Sequence, residues 1–287
     1  MLFININREL IATLLPTRDD NCDKLGFGKL TCICGSYDMP GAAVLSVGGA
    51  LRSGVGLVTL ASVENVCQSV NYAYPGAVLK ALPLSNDGGI EPIFVKDFIA
   101  KTCLTGYKAI LFGCGIGITE GGRAALDSLI KLCTRPLVID ADGLNLLAEN
   151  ISMLERAACP IILTPHEREL KRLLTAAKLD SAKDFAKKYN VTLVSKGAVT
   201  QIYGDKCYIL NQPNSALAKG GSGDILAGLI AGLLAQGISP ADAAAVGVYI
   251  HSQAGMLAAQ MHTARAALVT DILDEIGVAF AELEEGI

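Results

Sequence analysis

Short unbroken apolar runs alternate with helix-like segments along most of this chain, and nearly every apolar run ends in glycine or a polar residue. Runs of three to seven apolar residues without polar interruption suit strands buried on both faces. Helices between such strands imply a mostly parallel sheet covered on both sides. The expected strands cover 30–34, 55–61, 109–112, 137–140, 161–164 and 191–195, then 200–203 and 206–210, which form a hairpin about Gly204-Asp205. That hairpin is expected to give the sheet an antiparallel edge. Helices are expected from Pro40 to Arg52, over 63–73 and 90–101, from the cap Thr119 to Cys133, from Asp142, from Pro165-His166-Glu167, and from Gly223 onward. Residues 1–29 hold a short helix-like start, and 74–90 are turn-rich, with Pro75-Gly76 and Asp87-Gly88-Gly89.

No linker, composition break or internal repeat divides the 287 residues, so 1–287 is expected to form one α/β domain. Net charge is −4 with no basic stripe, and aromatic residues make up 5% with no Trp. Nucleic acid, single strands included, is excluded as a partner on that basis. The most apolar window, 225–234, is too short for a membrane span, which needs about 20 residues. Gly228 and Gly232 inside it suggest a helix packed closely on the sheet. The nine cysteines lack Cys-x-x-Cys spacing, Cys32-Ile33-Cys34 being the closest pair. They are expected to be reduced and buried, in a cytoplasmic protein.

The polar stops fall at strand C-terminal ends, where open α/β sheets bind ligands. They are Gly35-Ser36, Gly113 to Gly117, Asp140-Ala141-Asp142, Thr164-Pro165-His166 and Lys196-Gly197. Ala218-Lys219-Gly220-Gly221-Ser222-Gly223-Asp224 precedes a long apolar helix and adds a seat for phosphate or a developing oxyanion. Asp224 at its edge is placed as a general base for a hydroxyl facing a phosphoryl group. The alternative is that Ser222 or Asp224 only caps the helix. Walker A order is absent, and Gly113-x-Gly-x-Gly117 lacks dinucleotide-fingerprint spacing; it suits a turn that a substrate approaches closely. Asp140 and Asp142 can order Mg²⁺ through water, or Asp142 caps its helix while Asp140 meets backbone donors. His166 belongs to the expected site, whereas His251 sits in an apolar helix as a packing residue. The turn Lys196-Gly197-Ala198-Val199-Thr200 either lies against an adenine or phosphate or is a plain loop.

In order along the chain, Gly35-Ser36-Tyr37 with Gly41-Ala42-Ala43, 50–58, Gly113-x-Gly-x-Gly117, 140–145, Thr164-Pro165-His166, Lys196 to Thr200 and Gly220 to Asp224 resemble the NAD(P)H-hydrate dehydratases. The likeness covers about residues 14–260. It implies a ribokinase-like three-layer α/β/α sandwich, with a mostly parallel sheet and an antiparallel edge hairpin. It implies ADP- or ATP-dependent dehydration of the S epimer of hydrated NADH or NADPH, with Mg²⁺ as cofactor and ADP the favoured nucleotide. By motif, Ala42, Gly115 and His166 would contact the hydrated nicotinamide nucleotide. Lys196, Gly197, Ala198, Val199, Thr200 and Gly223 would hold the adenosine nucleotide, and Asp224 would lie between the two ligands as the catalytic residue. A homotetramer is implied, and a separate epimerase for the other epimer. The chain departs from the family twice: Glu167-Arg168-Glu169 stands where Pro-Gly-Glu is usual, and Ser222 where Thr is usual. A kinase for a vitamin-precursor alcohol, or a non-catalytic nucleotide binder, would share the glycine seat.

Overall fold

The computed structural model describes residues 2–103 and 106–285. Its strands are β1 (Ile4–Asn5), β2 (Lys29–Ile33), β3 (Leu57–Val63), β4 (Val78–Leu82), β5 (Ala109–Phe112), β6 (Leu137–Ile139), β7 (Ile161–Leu163), β8 (Thr192–Ser195), β9 (Val199–Tyr203) and β10 (Tyr208–Asn211). Its helices are α1 (Arg8–Leu14), α2 (Pro40–Arg52), α3 (Glu64–Ala73), α4 (Pro92–Cys103), α5 (Glu120–Leu132), α6 (Asp142–Glu149), α7 (Glu167–Ala177), α8 (Ala182–Tyr189), α9 (Ser222–Ala235), α10 (Pro240–Ala266) and α11 (Val269–Glu284).

The strands form one sheet in the order β1-β10-β9-β8-β7-β6-β5-β2-β3-β4. From β4 across to β8 every neighbouring pair is parallel. β8, β9 and β10 run antiparallel to one another, and β10 pairs parallel with β1. The hairpin therefore lies one strand in from the edge, because Ile4 and Asn5 cap it with a two-residue strand. β4 was also unexpected at 74–90. It is an edge strand whose residues are exposed or half-buried, so it lacks the apolar run that marks the inner strands.

The inner strands are apolar throughout because helices cover both faces. Ala109–Phe112, Leu137–Ile139 and Ile161–Leu163 are all buried. α9 is apolar on every side for the same reason. It packs on β2, β5 and β6 and against α2, α10 and α11. Gly228 and Gly232 face α2 rather than the sheet. A Cβ on Gly228 would stand 2.0 Å from the Ser46 carbonyl oxygen, and one on Gly232 would stand 2.0 Å from Ser53 Oγ. The glycines thus bring two helix backbones together, and α2 reciprocates with Ser46, Gly49, Ala50 and Ser53.

β2 has β3 on one side and β5 on the other, so the chain reverses its direction of winding between β2 and β5. The crevice beyond the C-terminal ends of these two strands is the topological switch point, the usual ligand position in such sheets. The turns leaving both strands are joined there, since the Gly35 N–H donates to the Cys114 carbonyl at 2.8 Å.

Candidate active site

The ends of β5, β6, β7 and β8 and the starts of α7 and α9 converge at this edge. β5 leads into Gly113–Gly117. Gly115 has φ +63°, and a Cβ there would stand 2.6 Å from Ala42 Cβ in the first turn of α2. Ala42 and Gly115, expected to act together, are in fact adjacent. The turn is pinned by Asp142, whose Oδ2 accepts the Gly117 N–H at 2.9 Å. Asp142 does not cap its own helix: Ala141 occupies the N-cap position, with no side-chain cap bond.

Asp140, at the end of β6, is 1% exposed. Among the described residues no backbone donor meets its side chain, and it is closed off from open solvent. Lys196 Nζ at the end of β8 donates to its Oδ1 at 2.9 Å. Burial alone would push the ammonium down, but Asp140 and then Glu169 hold it above its ordinary value. Lys196 is thus a charge already neutralised in part, not the free phosphate cation its position suggests. Its backbone N–H donates to the Pro165 carbonyl at 2.9 Å, which ties β8 to the start of α7.

His166 is the N-cap of α7 in a reciprocal capping box: its Nδ1 accepts the Glu169 N–H at 3.2 Å, and its own N–H donates to Glu169 Oε2 at 2.9 Å. Its Nε2 faces Glu169 Oε1 at 3.4 Å. The helix expected to open at Pro165-His166-Glu167 is present, despite the missing Pro-Gly. Glu169 is buried, and burial raises its carboxyl against the pull of Lys196. The sequence pointed to His166 but not to this carboxylate; the capping-box spacing of three residues was the available signal.

The long helix α9 starts at Ser222, with Gly221 at the N-cap and no side-chain cap bond. Neither Ser222 nor Asp224 serves as the cap. Ser222 instead shares a hydrogen bond with His251 of α10, Oγ to Nε2 at 3.1 Å. His251 is buried, as a packing histidine should be, and burial followed by the Lys196 charge pushes it down to about 4. Gly223 abuts the ion pair: a Cβ there would stand 3.3 Å from Lys196 Nζ and 3.7 Å from Asp140 Oδ2.

Asp224 follows in the first turn of α9. Carboxylate oxygens of Asp224 and Asp140 and the Cys114 thiol lie within 4.8 Å of one another. The Asp224 carboxyl is pushed up to about 7, first by burial and then by the Asp140 charge. A hydrogen bond from Cys114 and the Lys196 charge act in the opposite direction. The Cys114 thiol is itself held well above its ordinary value, through its contact with Cys34, its burial and the adjacent carboxylates. It is therefore a neutral neighbour of Asp224. Nothing in the motif identified Cys114 as a partner; the strand order brings it there.

A cleft of about 1040 Å³ opens beside this cluster. His166, Lys196, Gly197, Ala198, Thr200 and Gly223 line it, as do Lys219, Gly220, Ser222 and His251. Val199 is not in that lining; it starts β9 opposite Asn211 and is 41% exposed. Ala42 and Gly115 also lie outside it, on the Cys114 side of Asp224. Gly223 thus faces the cleft while the next residue's carboxylate meets the glycine turn after β5. A second cavity, about 630 Å³, sits among Cys159, Lys187, Thr192 and Tyr203 and holds none of the candidate residues.

The cluster tests whether Mg²⁺ fits. Mg²⁺ prefers hard oxygen ligands and is commonly held by one or two carboxylates together with substrate phosphates. Asp140 and Asp224 offer carboxylate oxygens within 4.8 Å of each other, Asp140 with one oxygen already taken by Lys196, and Asp142 stands two residues on; the protonated Cys114 thiol is no ligand. The donor set fits an ion carried mainly by phosphates and steadied by a carboxylate.

A family model described as NAD(P)H-hydrate dehydratase matches residues 30–277. The ADP-dependent (S)-NAD(P)H-hydrate dehydratase of Bacillus subtilis is 33% identical over 276 residues, covering 93% of this chain and 94% of that protein. The bifunctional NAD(P)H-hydrate repair enzyme Nnr of Salinibacter ruber is 33% identical over 275 residues, 93% of this chain and 51% of that protein. The chain spans about half the length of the bifunctional relatives it matches. Among solved structures, the Bacillus subtilis ADP/ATP-dependent NAD(P)H-hydrate dehydratase co-crystallized with ATP/Mg²⁺ aligns with a TM-score of 0.82 at 29% identity, covering 99% of each chain.

Proposed function

The chain belongs to the NAD(P)H-hydrate dehydratase family, and from that premise we propose that it uses ADP or ATP to dehydrate the S epimer of hydrated NADH or NADPH. The observation that carries this reading is Asp224. It is a half-buried carboxylate raised to about 7, in the first turn of a glycine-led helix, between a nucleotide-sized cleft and the Ala42–Gly115 turn.

The proposed chemistry has two stages. The nucleotide occupies the cleft, against Lys196, Gly197, Ala198, Thr200 and Gly223; Val199 contributes through the backbone of the same turn. Its terminal phosphoryl group lies at the N-terminus of α9, where unpaired N–H groups and the helix dipole favour negative charge. The hydrated nicotinamide lies beyond it, by Ala42 and Gly115; His166, assigned to the same substrate, stands on the lining of the cleft itself. Asp224 takes the proton from the ring hydroxyl as its oxygen attacks phosphorus, and AMP leaves from ADP or ADP from ATP. A carboxyl with a value near neutrality is suited to that transfer. Phosphate then departs with the C–O bonding electrons, driven by the ring nitrogen's lone pair. A proton is lost from the neighbouring carbon, and the reduced ring is restored. Phosphorylation matters because hydroxide is a poor leaving group and phosphate a good one. Mg²⁺ would be held near Asp140 and Asp142 and would offset phosphate charge.

In this reading the chain acts as one domain, supported by the single continuous sheet. A homotetramer and a cytoplasmic location belong to the same proposal. Cys32, Cys34, Cys67 and Cys114 are buried thiols, in keeping with a reducing compartment. No helix among the described residues is long and apolar enough to cross a membrane. A separate epimerase would supply the S epimer from the R form.

The test is the near-ultraviolet absorbance of reduced nicotinamide, followed with purified protein, hydrated NADH, Mg²⁺ and either ADP or ATP. A nucleotide-dependent rise is expected, larger with ADP. A stable phosphorylated product, or no change from protein that binds nucleotide, would overturn the proposal.

A further inference from the structure

The cleft holds fewer available cations than its composition suggests. Lys196 is committed to Asp140 at 2.9 Å. Lys219 Nζ donates to the Arg265 carbonyl at 3.0 Å. The His166 ring faces Glu169 through both nitrogens. Arg168 also lines the cleft. It is exposed, and no hydrogen bond or ion pair ties it to any described residue.

Its position on α7 sharpens the point. Arg168 is the second residue of the helix, in the turn where the dipole favours negative charge and disfavours a cation. Glu167 and Glu169 on either side satisfy that preference; Arg168 opposes it. The NAD(P)H-hydrate dehydratase pattern usually places glycine here. An unpaired guanidinium held against the local field, in a cleft that Gly220 and Gly223 also line, fits a role in ligand binding rather than in helix stability.

We propose that Arg168 is a specificity-determining residue of the cleft, its guanidinium taking a phosphate of the nucleotide co-substrate. The inference rests on the nucleotide reading of the cleft given above. The planar guanidinium can present two parallel N–H groups to one phosphate, a match that an ammonium lacks. Arg168 then reads the phosphates and ignores the nucleoside.

Equilibrium binding by calorimetry, without turnover, tests this with ADP and adenosine as probes on wild type, Arg168→Gln, Arg168→Lys and Arg168→Gly. Arg168→Gln keeps helix propensity while removing the charge. It should weaken ADP by about 10- to 100-fold, the range for a lost charge-assisted hydrogen bond. Adenosine affinity should be unchanged in every variant. Arg168→Lys should fall between wild type and Arg168→Gln, and Arg168→Gly should resemble Arg168→Gln. Equal ADP affinity in wild type and Arg168→Gln overturns the inference and leaves the nucleotide reading intact. So does a change confined to the KM for hydrated NADH, which would assign Arg168 to the other substrate. Wild type that binds neither ADP nor ATP overturns both.

Discussion

Lys196 and Asp140 form a part-buried ion pair, Nζ to Oδ1 at 2.9 Å, that joins the end of β8 to the end of β6 across the intervening β7. Asp140 has 2% of its side chain exposed and Lys196 19%. Removing one member leaves the other charged and unpaired, a loss of about 3–5 kcal/mol for a buried pair. Lys196→Met should therefore lower the urea-unfolding free energy by an amount in that range. Lys196→Met with Asp140→Asn should recover much of it. Additive losses in the double variant would mean that the two groups are not coupled.

The pH profile follows from Asp224. A base must be deprotonated to act, so kcat/KM should rise with pH through an apparent value near 7. Asp140→Asn removes the like charge that raises Asp224 and frees Lys196, which lowers it. Both effects move the acid limb to lower pH. An unmoved limb would assign it to another group.

Cys114→Ala should move the same limb the other way. It deletes the thiol hydrogen bond that holds the Asp224 carboxyl down. The expected outcome is a limb at higher pH, with nucleotide affinity unchanged. A loss of affinity without a shift would make the thiol a packing group only.

Asp224→Asn should retain nucleotide binding and lose turnover by about 10²- to 10⁴-fold, the usual contribution of a general base. Near-normal kcat would remove Asp224 from the chemistry. The same variant alters stability. The Asp224 value is raised on folding, so its contribution is full below the ordinary carboxylate range and is lost as pH rises through about 7. Unfolding free energies across that window should fall less steeply in Asp224→Asn than in wild type.

Gly228→Ala probes the contact between α9 and α2. Alanine favours an isolated helix over glycine by about 1 kcal/mol. Here its Cβ would stand 2.0 Å from the Ser46 carbonyl oxygen. Overpacking costs about 1–3 kcal/mol or more, so the net change should be destabilising in urea titration. A stabilised variant would show that the two helices can part freely.

The local pattern determined a large share of the fold. Pro40 to Arg52 forms the expected helix, Thr119 caps α5 by accepting the Gly122 N–H at 3.0 Å, and Ala109–Phe112 is the expected strand. Each depends on near neighbours: a ring-fixed φ, a hydroxyl three residues from its donor, an apolar run bounded by glycine. The site residues were also apparent individually, because strand ends in α/β sheets carry polar stops at one edge. β1 and β4 were not, since edge strands are short or half-exposed and lack the apolar run of the inner ones.

Contacts between distant residues depended on tertiary structure. Lys196 and Asp140 are 56 residues apart, and only the order β8-β7-β6 brings them together. Reversal of winding between β2 and β5 places the Cys114 turn beside Gly35 and close to Asp224. Gly228 and Gly232 read alone as a close approach to something; that their neighbour is α2 followed from which helix shares their face of the sheet. Sequence spacing reports the period of a strand or helix and the chemistry at its ends. Strand order and helix packing decide which ends meet, because burial rewards the arrangement of the whole chain and not of any one segment.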